Sequence, residues 1–340
     1  IFSINLIIIT IFFLPSIIFF KSKLKFFFIF SFFTLFLSNY FYGSQKINST
    51  SIDLDSEKIN FKIVSASMNL KDFKDEIKVT SKLIKYSDPD KKMKTIFVWP
   101  EGVFLSENFN KKKQIKDLFL QNFSEDHLIV LGANTSKTES MQTSYFNSMI
   151  VVDRHLNTIL KYDKKKLVPF GEFLPFERFL KSLGLKKVTS GYNSFSKGTG
   201  NSVINLKFNS ENINILSLIC YEIIFPSFIE QKKSFNFIIN ISEDAWFGES
   251  IGPHQHFAKA IFRSIESGVY IIRSANRGIS AFISPDGKIL KNLQPNEMGN
   301  IELSIPIEEK SKKQSKKDLI FLLLLFTYIF TFFILNKFKI

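Results

Sequence analysis

Three uncharged apolar segments, residues 1–20, 26–42 and 319–335, bracket a long stretch of ordinary composition, and they constrain this chain more than any other feature. Each is close to the roughly 17–25 residues that a helix needs to cross a bilayer. A secretory signal would be shorter, with a basic start and a small-residue cleavage site, and neither is visible. The pattern predicts two transmembrane helices in 1–42, a catalytic-sized domain at 43–318 and one transmembrane helix in 319–340. The chain opens with Ile1 inside an apolar run rather than with Met. The two N-terminal helices are therefore expected to be the remnant of a larger membrane bundle.

Charge beside the apolar segments gives an orientation. Lys21, Lys23 and Lys25 fill the short first connection, which the positive-inside rule puts in the cytoplasm, with the large domain outside. Lys310, Lys312, Lys313, Lys316 and Lys317 oppose this, but charges on long translocated segments carry less weight than those on short loops. The net charge of +14 is spread without the aromatic interleaving of RNA-binding surfaces, so nucleic acid is not an expected partner. Lysines beside a span fit anionic lipid head groups instead.

Within 43–318, apolar runs rich in Ile, Val and Phe read as strands at 61–66, 95–99, 128–132, 145–152, 213–219, 235–241, 269–273 and 279–283. Turn signals at 153–157 and 284–288 fit close strand connections. Helical patterns lie at 72–86, 111–122 and 254–267. Strands alternating with helices predict a layered α/β fold.

Cys220 is the only cysteine, so it forms no internal disulfide, and an unpaired thiol in an exported domain is unusual unless its chemistry is used. It stands where an apolar run meets Tyr221 and Glu222. A free Cys is often a buried core filler, so the other residues decide. Glu101 follows an apolar strand and a proline, at a strand end where ligands of α/β sheets bind; alone, it also reads as a solvated turn residue. Lys164, Lys165 and Lys166 form a run whose periodicity does not say which one turns inward. Glu172 lies among apolar residues and calls for a cationic partner, for which Lys164 is the candidate. A carboxylate, an ammonium and a thiol together suit acyl transfer: the base takes the thiol proton and the cation steadies the thiolate and oxyanion. Four histidines show no serine-hydrolase pattern. His254 and His256 lack the ligand spacing of a metal site and read as structural. No metal or cofactor is expected.

The strings WPEG at 99–102, YDK with LVPFGE over 162–172, and ICYE at 219–222 resemble the Glu-Lys-Cys motifs of the nitrilase, or carbon–nitrogen hydrolase, superfamily. LVPFGEFLPFE, ICYEIIFP, DAWFG at 244–248 and GPHQHFAKAIFRSIE more narrowly resemble the apolipoprotein N-acyltransferase family. That resemblance implies a nitrilase-like α-β-β-α sandwich facing the periplasm, flanked by transmembrane helices in a bacterial inner membrane. It implies that Cys220 takes an acyl chain from a phospholipid as a thioester. The α-amino group of an apolipoprotein's N-terminal diacylglyceryl-cysteine then accepts it. By motif position Glu101 is the general base and Lys164 the oxyanion-stabilising cation, while Glu172, Tyr221, Glu222 and Trp246 support the site or face substrate.

Two features depart from the family pattern. Glu243 precedes DAWFG where the family usually has Asn. Near the domain's start Phe73 is the nearest aromatic to a functional Trp. The resemblance also implies further membrane helices ahead of Ile1. The segment 173–185 reads either as a core helix or as an arm on the bilayer surface. A membrane-tethered nitrilase-type amidase would use the same three residues with water as acceptor. A lipid- or lipoprotein-binding scaffold would need none of them.

Overall fold

Alternation of side chains along the apolar runs builds two sheets that bury both faces. The computed structural model describes residues 7–12, 15, 19, 24–48, 57–106, 108–139, 142–176, 179, 182, 184, 194–229, 234–307 and 317–337. One sheet has the order β12-β1-β2-β3-β4-β5. Its strands are β1 (Lys58–Ser65), β2 (Thr95–Val98), β3 (His127–Glu139), β4 (Gln142–Val152), β5 (Thr158–Asp163) and β12 (Gly299–Pro306). The other has the order β11-β10-β9-β8-β7-β6. It comprises β6 (Val203–Phe208), β7 (Glu211–Ile219), β8 (Phe237–Glu243), β9 (Tyr270–Asn276), β10 (Ser280–Ile283) and β11 (Ile289–Leu293). Each sheet has three parallel central strands, β1-β2-β3 and β7-β8-β9, with antiparallel strands outside them. Chemistry at the carboxyl ends of such parallel strands is therefore available from both sheets.

Period-two alternation settles the layers. Phe61, Ile63, Ile96 and Val98 pack between the sheets against Ile215, Ile219, Ile239 and Ile241. Their neighbours Phe97, Trp99, Ile129 and Leu131 face outward onto Val79, Leu83, Ile115 and Phe119, carried by helices α2 (Glu76–Ser87) and α3 (Lys113–Asn122). On the second sheet Leu216, Leu218, Ile238 and Ile271 face Phe257 and Ala260 of α4 (Gly252–Ser267). The layers are thus α-β-β-α. All eight expected strands and three expected helices form, with shifted ends. The edge strands β5, β6, β11 and β12 lie outside the expected set. The two turn signals close hairpins, with Asp153 N–H donating to the Asn157 carbonyl and Ser284 N–H to that of Lys288.

The chain divides into two compact units, residues 51–310 and residues 1–50 with 311–340. The second holds helices α1 (Leu24–Asn48) and α5 (Lys317–Lys337), where the apolar segments 26–42 and 319–335 fall. The segment 1–20, Lys21 and Lys23 lie largely outside the described residues. Among the described residues, no helix is long and apolar enough to cross a membrane.

Candidate active site

Four strand ends supply the site. Glu101 follows β2 after Trp99 and Pro100, Lys164 follows β5, Cys220 follows β7, and Glu243 ends β8. Glu101 is set by close backbone contact: a Cβ on Gly132 of β3 would lie 2.4 Å from the Gly102 nitrogen and 2.6 Å from the Glu101 Cα. Only glycine leaves that space, so β3 fixes how far Glu101 projects.

Lys164, Glu101 and Glu172 form one buried cluster. The Lys164 Nζ donates to Glu172 Oε1 at 2.9 Å and to Glu101 Oε1 at 3.2 Å. Of the three lysines in the run, Lys164 is the one turned inward. Asn147 Nδ2 donates to the same two oxygens, at 2.7 Å each. The remaining oxygens are also held, Glu101 Oε2 by the Glu243 N–H at 2.9 Å and Glu172 Oε2 by the Val168 N–H at 2.8 Å. Burial opposes the Lys164 charge, but the charges of Glu101 and Glu172 prevail and hold its ammonium well above the usual lysine range.

Cys220 opens a short 3-10 turn, Cys220–Ile224, with φ +51°. This left-handed conformation is uncommon for a residue with a Cβ. Burial pushes the Cys220 thiol up, Glu101 adds to the rise, and Lys164 opposes it. These effects together favour the neutral thiol over the thiolate. Two residues on, the buried Glu222 accepts from the N–H groups of Ile219 at 2.9 Å, Lys165 at 2.8 Å and Lys166 at 3.0 Å. It also accepts from the Tyr162 hydroxyl, so one carboxylate ties the Cys220 turn to the loop that carries Lys164.

Behind the turn lies a second buried network. Arg273 Nη2 donates to Asp244 Oδ2 at 2.8 Å, and His256 Nδ1 stands 3.0 Å from Asp244 Oδ1. Asp244 is held down to about 2, burial being outweighed chiefly by the charge of Arg273. Glu243 is buried against Asn276, whose Nδ2 donates to both its oxygens at 3.0 and 2.9 Å. Burial pushes the Glu243 carboxyl well above the carboxylate range.

The peripheral residues are placed as follows. Tyr221 is partly exposed and meets the Phe225 ring edge-on. Trp246 is 50% exposed on the 3-10 turn Asp244–Phe247. Phe73 is buried in the outer core, so no substrate-facing role follows for it. In the segment 173–185, Leu174 is buried while Phe176 and Phe179 are exposed; most positions after 176 lie outside the described residues. His254 is exposed and His256 buried, and among the described residues no group of His, Cys, Asp or Glu could hold a metal ion. The sequence reading passed over Asn147, although an Asn inside the apolar run YFNSMIVV was a signal. Asp244 was legible only as the first residue of DAWFG, and Arg273 not at all, because their partners lie across strands and helix.

The carbon-nitrogen hydrolase family profile matches residues 118–309. With this match over more than half its length, the chain belongs to the carbon-nitrogen hydrolase family. It is 36% identical over 212 residues to the apolipoprotein N-acyltransferase of Rickettsia prowazekii (strain Madrid E), covering 62% of this chain and 42% of that protein. It is 30% identical over 278 residues to that of Allorhizobium ampelinum, covering 78% and 51%. The chain thus spans about two-fifths to one half of the length of these relatives. Among solved structures it is similar in fold to Saccharomyces cerevisiae Nit3, a member of branch 10 of the nitrilase superfamily. That match has a TM-score of 0.52 at 17% identity, over 76% of this chain and 94% of that one. The NitFhit protein of C. elegans matches with a TM-score of 0.51 at 15% identity, over 74% and 61%.

Proposed function

We propose that the chain is an acyltransferase that moves an acyl group from a phospholipid, through a thioester on Cys220, to the α-amino group of an apolipoprotein's N-terminal diacylglyceryl-cysteine. The observation that carries the reading is the buried Lys164–Glu101–Glu172 cluster, whose charges act on the protonated thiol of Cys220. The names of the relatives supply the acceptor, an apolipoprotein acylated on nitrogen, while the phospholipid donor comes from the motif resemblance alone.

In the first half-reaction Glu101 takes the Cys220 proton as Sγ attacks the ester carbonyl. The S–C bond forms, and Lys164 stabilises the oxyanion. The C–O bond then breaks, and Glu101 returns the proton to the departing lysophospholipid oxygen. In the second half-reaction the acceptor amine attacks the thioester, an N–C bond forms and the C–S bond breaks. Glu101 carries the amine proton back to the thiol. Glu172 and Asn147 hold Lys164 and Glu101, while Glu222 holds the loop and the nucleophile turn. Tyr221 and Trp246 face the substrate.

The membrane setting is part of the proposal: an inner-membrane protein with its catalytic unit on the periplasmic side. It is supported by exposed large apolar side chains on α1, among them Phe26, Phe30, Phe33, Tyr40 and Phe41, and on α5, among them Leu322, Leu323, Phe326 and Phe330. Such surface is unstable in water and suits lipid.

The reading is tested with vesicles of phosphatidylethanolamine labelled in its acyl chains, the full chain in detergent micelles and a diacylglyceryl lipopeptide. Label on the lipopeptide amine is expected. Label released only as free fatty acid would make the chain a hydrolase that passes the acyl group to water rather than to an amine.

A further inference from the structure

The carbonyl of Cys220 is held by two side chains, His256 Nε2 at 3.2 Å and Asn240 Nδ2 at 3.4 Å. A carbonyl only accepts, so Nε2 of His256 carries its proton. The ring is fixed from its other nitrogen, which accepts from Arg273 Nη2 at 3.2 Å, and the same Nη2 donates to Asp244 Oδ2 at 2.8 Å. Arg273 also donates to Asn240 Oδ1. Both groups that hold the Cys220 carbonyl are therefore anchored on one fully buried guanidinium. Asp244 has little freedom to shift, because the Ser242 hydroxyl donates to it at 2.6 Å and a Cβ on Gly278 would lie 2.2 Å from its Oδ2.

The Cys220 carbonyl and the Tyr221 N–H belong to one planar peptide and point in opposite directions. Fixing the first aims the second, at the start of a 3-10 turn where an N–H has no partner within the turn. We propose that His256, with Asp244 and Arg273 behind it, is a positioning residue that aims the Tyr221 N–H at the oxyanion as a second donor beside Lys164. The left-handed φ of Cys220 makes this necessary: a strained turn keeps its direction only when the surroundings determine it. The inference rests on the proposed acyl transfer at Cys220 but not on the identity of the acyl donor.

The test uses the full chain in detergent micelles with p-nitrophenyl butyrate as the donor. It compares wild type with His256→Leu and His256→Gln, the latter keeping an N–H donor. Alkylation of Cys220 by iodoacetamide at about pH 9 is the control, since it needs a thiolate but forms no oxyanion. His256→Leu is expected to slow acylation about 10- to 100-fold, leave KM and alkylation near wild type, and be largely rescued by His256→Gln. Unchanged acylation, alkylation falling in step with acylation, or failure of the Gln variant to rescue would each overturn the role. Wild type acylated by the ester but not by phosphatidylethanolamine vesicles would sink the phospholipid reading and leave this one standing. No acylation by either would overturn both.

Discussion

The Tyr162 hydroxyl donates to the Glu222 carboxylate, 2.9 Å from one oxygen and 3.0 Å from the other, and so joins an edge strand of one sheet to the Cys220 turn of the other. The same carboxylate accepts backbone N–H groups beside Lys164 and before Cys220. One side chain thus ties the loop that carries Lys164 to the turn that carries Cys220.

Glu222→Gln puts an amide NH2 where one oxygen accepted, leaving a buried N–H or hydroxyl without a partner. The expected cost is about 1–3 kcal/mol of stability, with slower acylation because both sides of the site lose their tie. Denaturant unfolding and the p-nitrophenyl ester burst measure the two. If neither changes, the tie has no role.

Lys164→Met leaves Glu101 and Glu172 facing each other in a buried site with only Asn147 between them. Loss of one partner from such a group is expected to cost about 3–5 kcal/mol. Adding Glu172→Gln should recover part of that loss while acylation stays abolished. Equal stability of single and double variants in urea would contradict the charge argument.

Legibility in the sequence follows burial. The central strands carry long apolar runs, such as Ile213 to Ile219, because both their faces are covered, and they read correctly. The edge strands β5, β6, β11 and β12 mix polar and apolar residues, as in TILKYD and ILKNL, and lack a run to read. Glu101, Lys164, Glu172 and Cys220 stood out by chemistry and motif. Asn147 and the Asp244–His256–Arg273 network did not, since their meaning lies in partners 12 to 46 residues away. The burial of Phe73 follows from packing against α2, which periodicity alone did not weigh.

Glu243 gives a pH dependence of defined sign. Burial holds its carboxyl well above the 4.5 expected for an exposed Glu. Between those two values the folded state keeps a proton that the unfolded state has released, so the stability contributed by this group falls as pH rises through the window. Glu243→Gln carries no such proton. The stability of wild type minus variant should therefore be largest below about pH 4.5 and decline toward pH 8; melting temperatures across that range check it. A difference that rises with pH would show that Glu243 is stabilised as an anion.

The raised thiol predicts that iodoacetamide alkylates Cys220 slowly at neutral pH, with a rate still climbing through about pH 9, the range of an ordinary thiol. Glu101→Gln removes a charge that raises the thiol, so alkylation should quicken while acylation is lost. A plateau below about pH 7 would mean a preformed thiolate, as in low-pKa catalytic cysteines, and no need for Glu101 as base.

The central claim is that Cys220 carries the acyl group between donor and acceptor. Its most direct test is the intact mass of the full chain after incubation with phosphatidylethanolamine, for wild type and Cys220→Ala. An acyl adduct on wild type alone, removed by a diacylglyceryl lipopeptide that gains the same mass on its amine, is the predicted result. An adduct on both proteins, or acylated lipopeptide formed by Cys220→Ala, would contradict it.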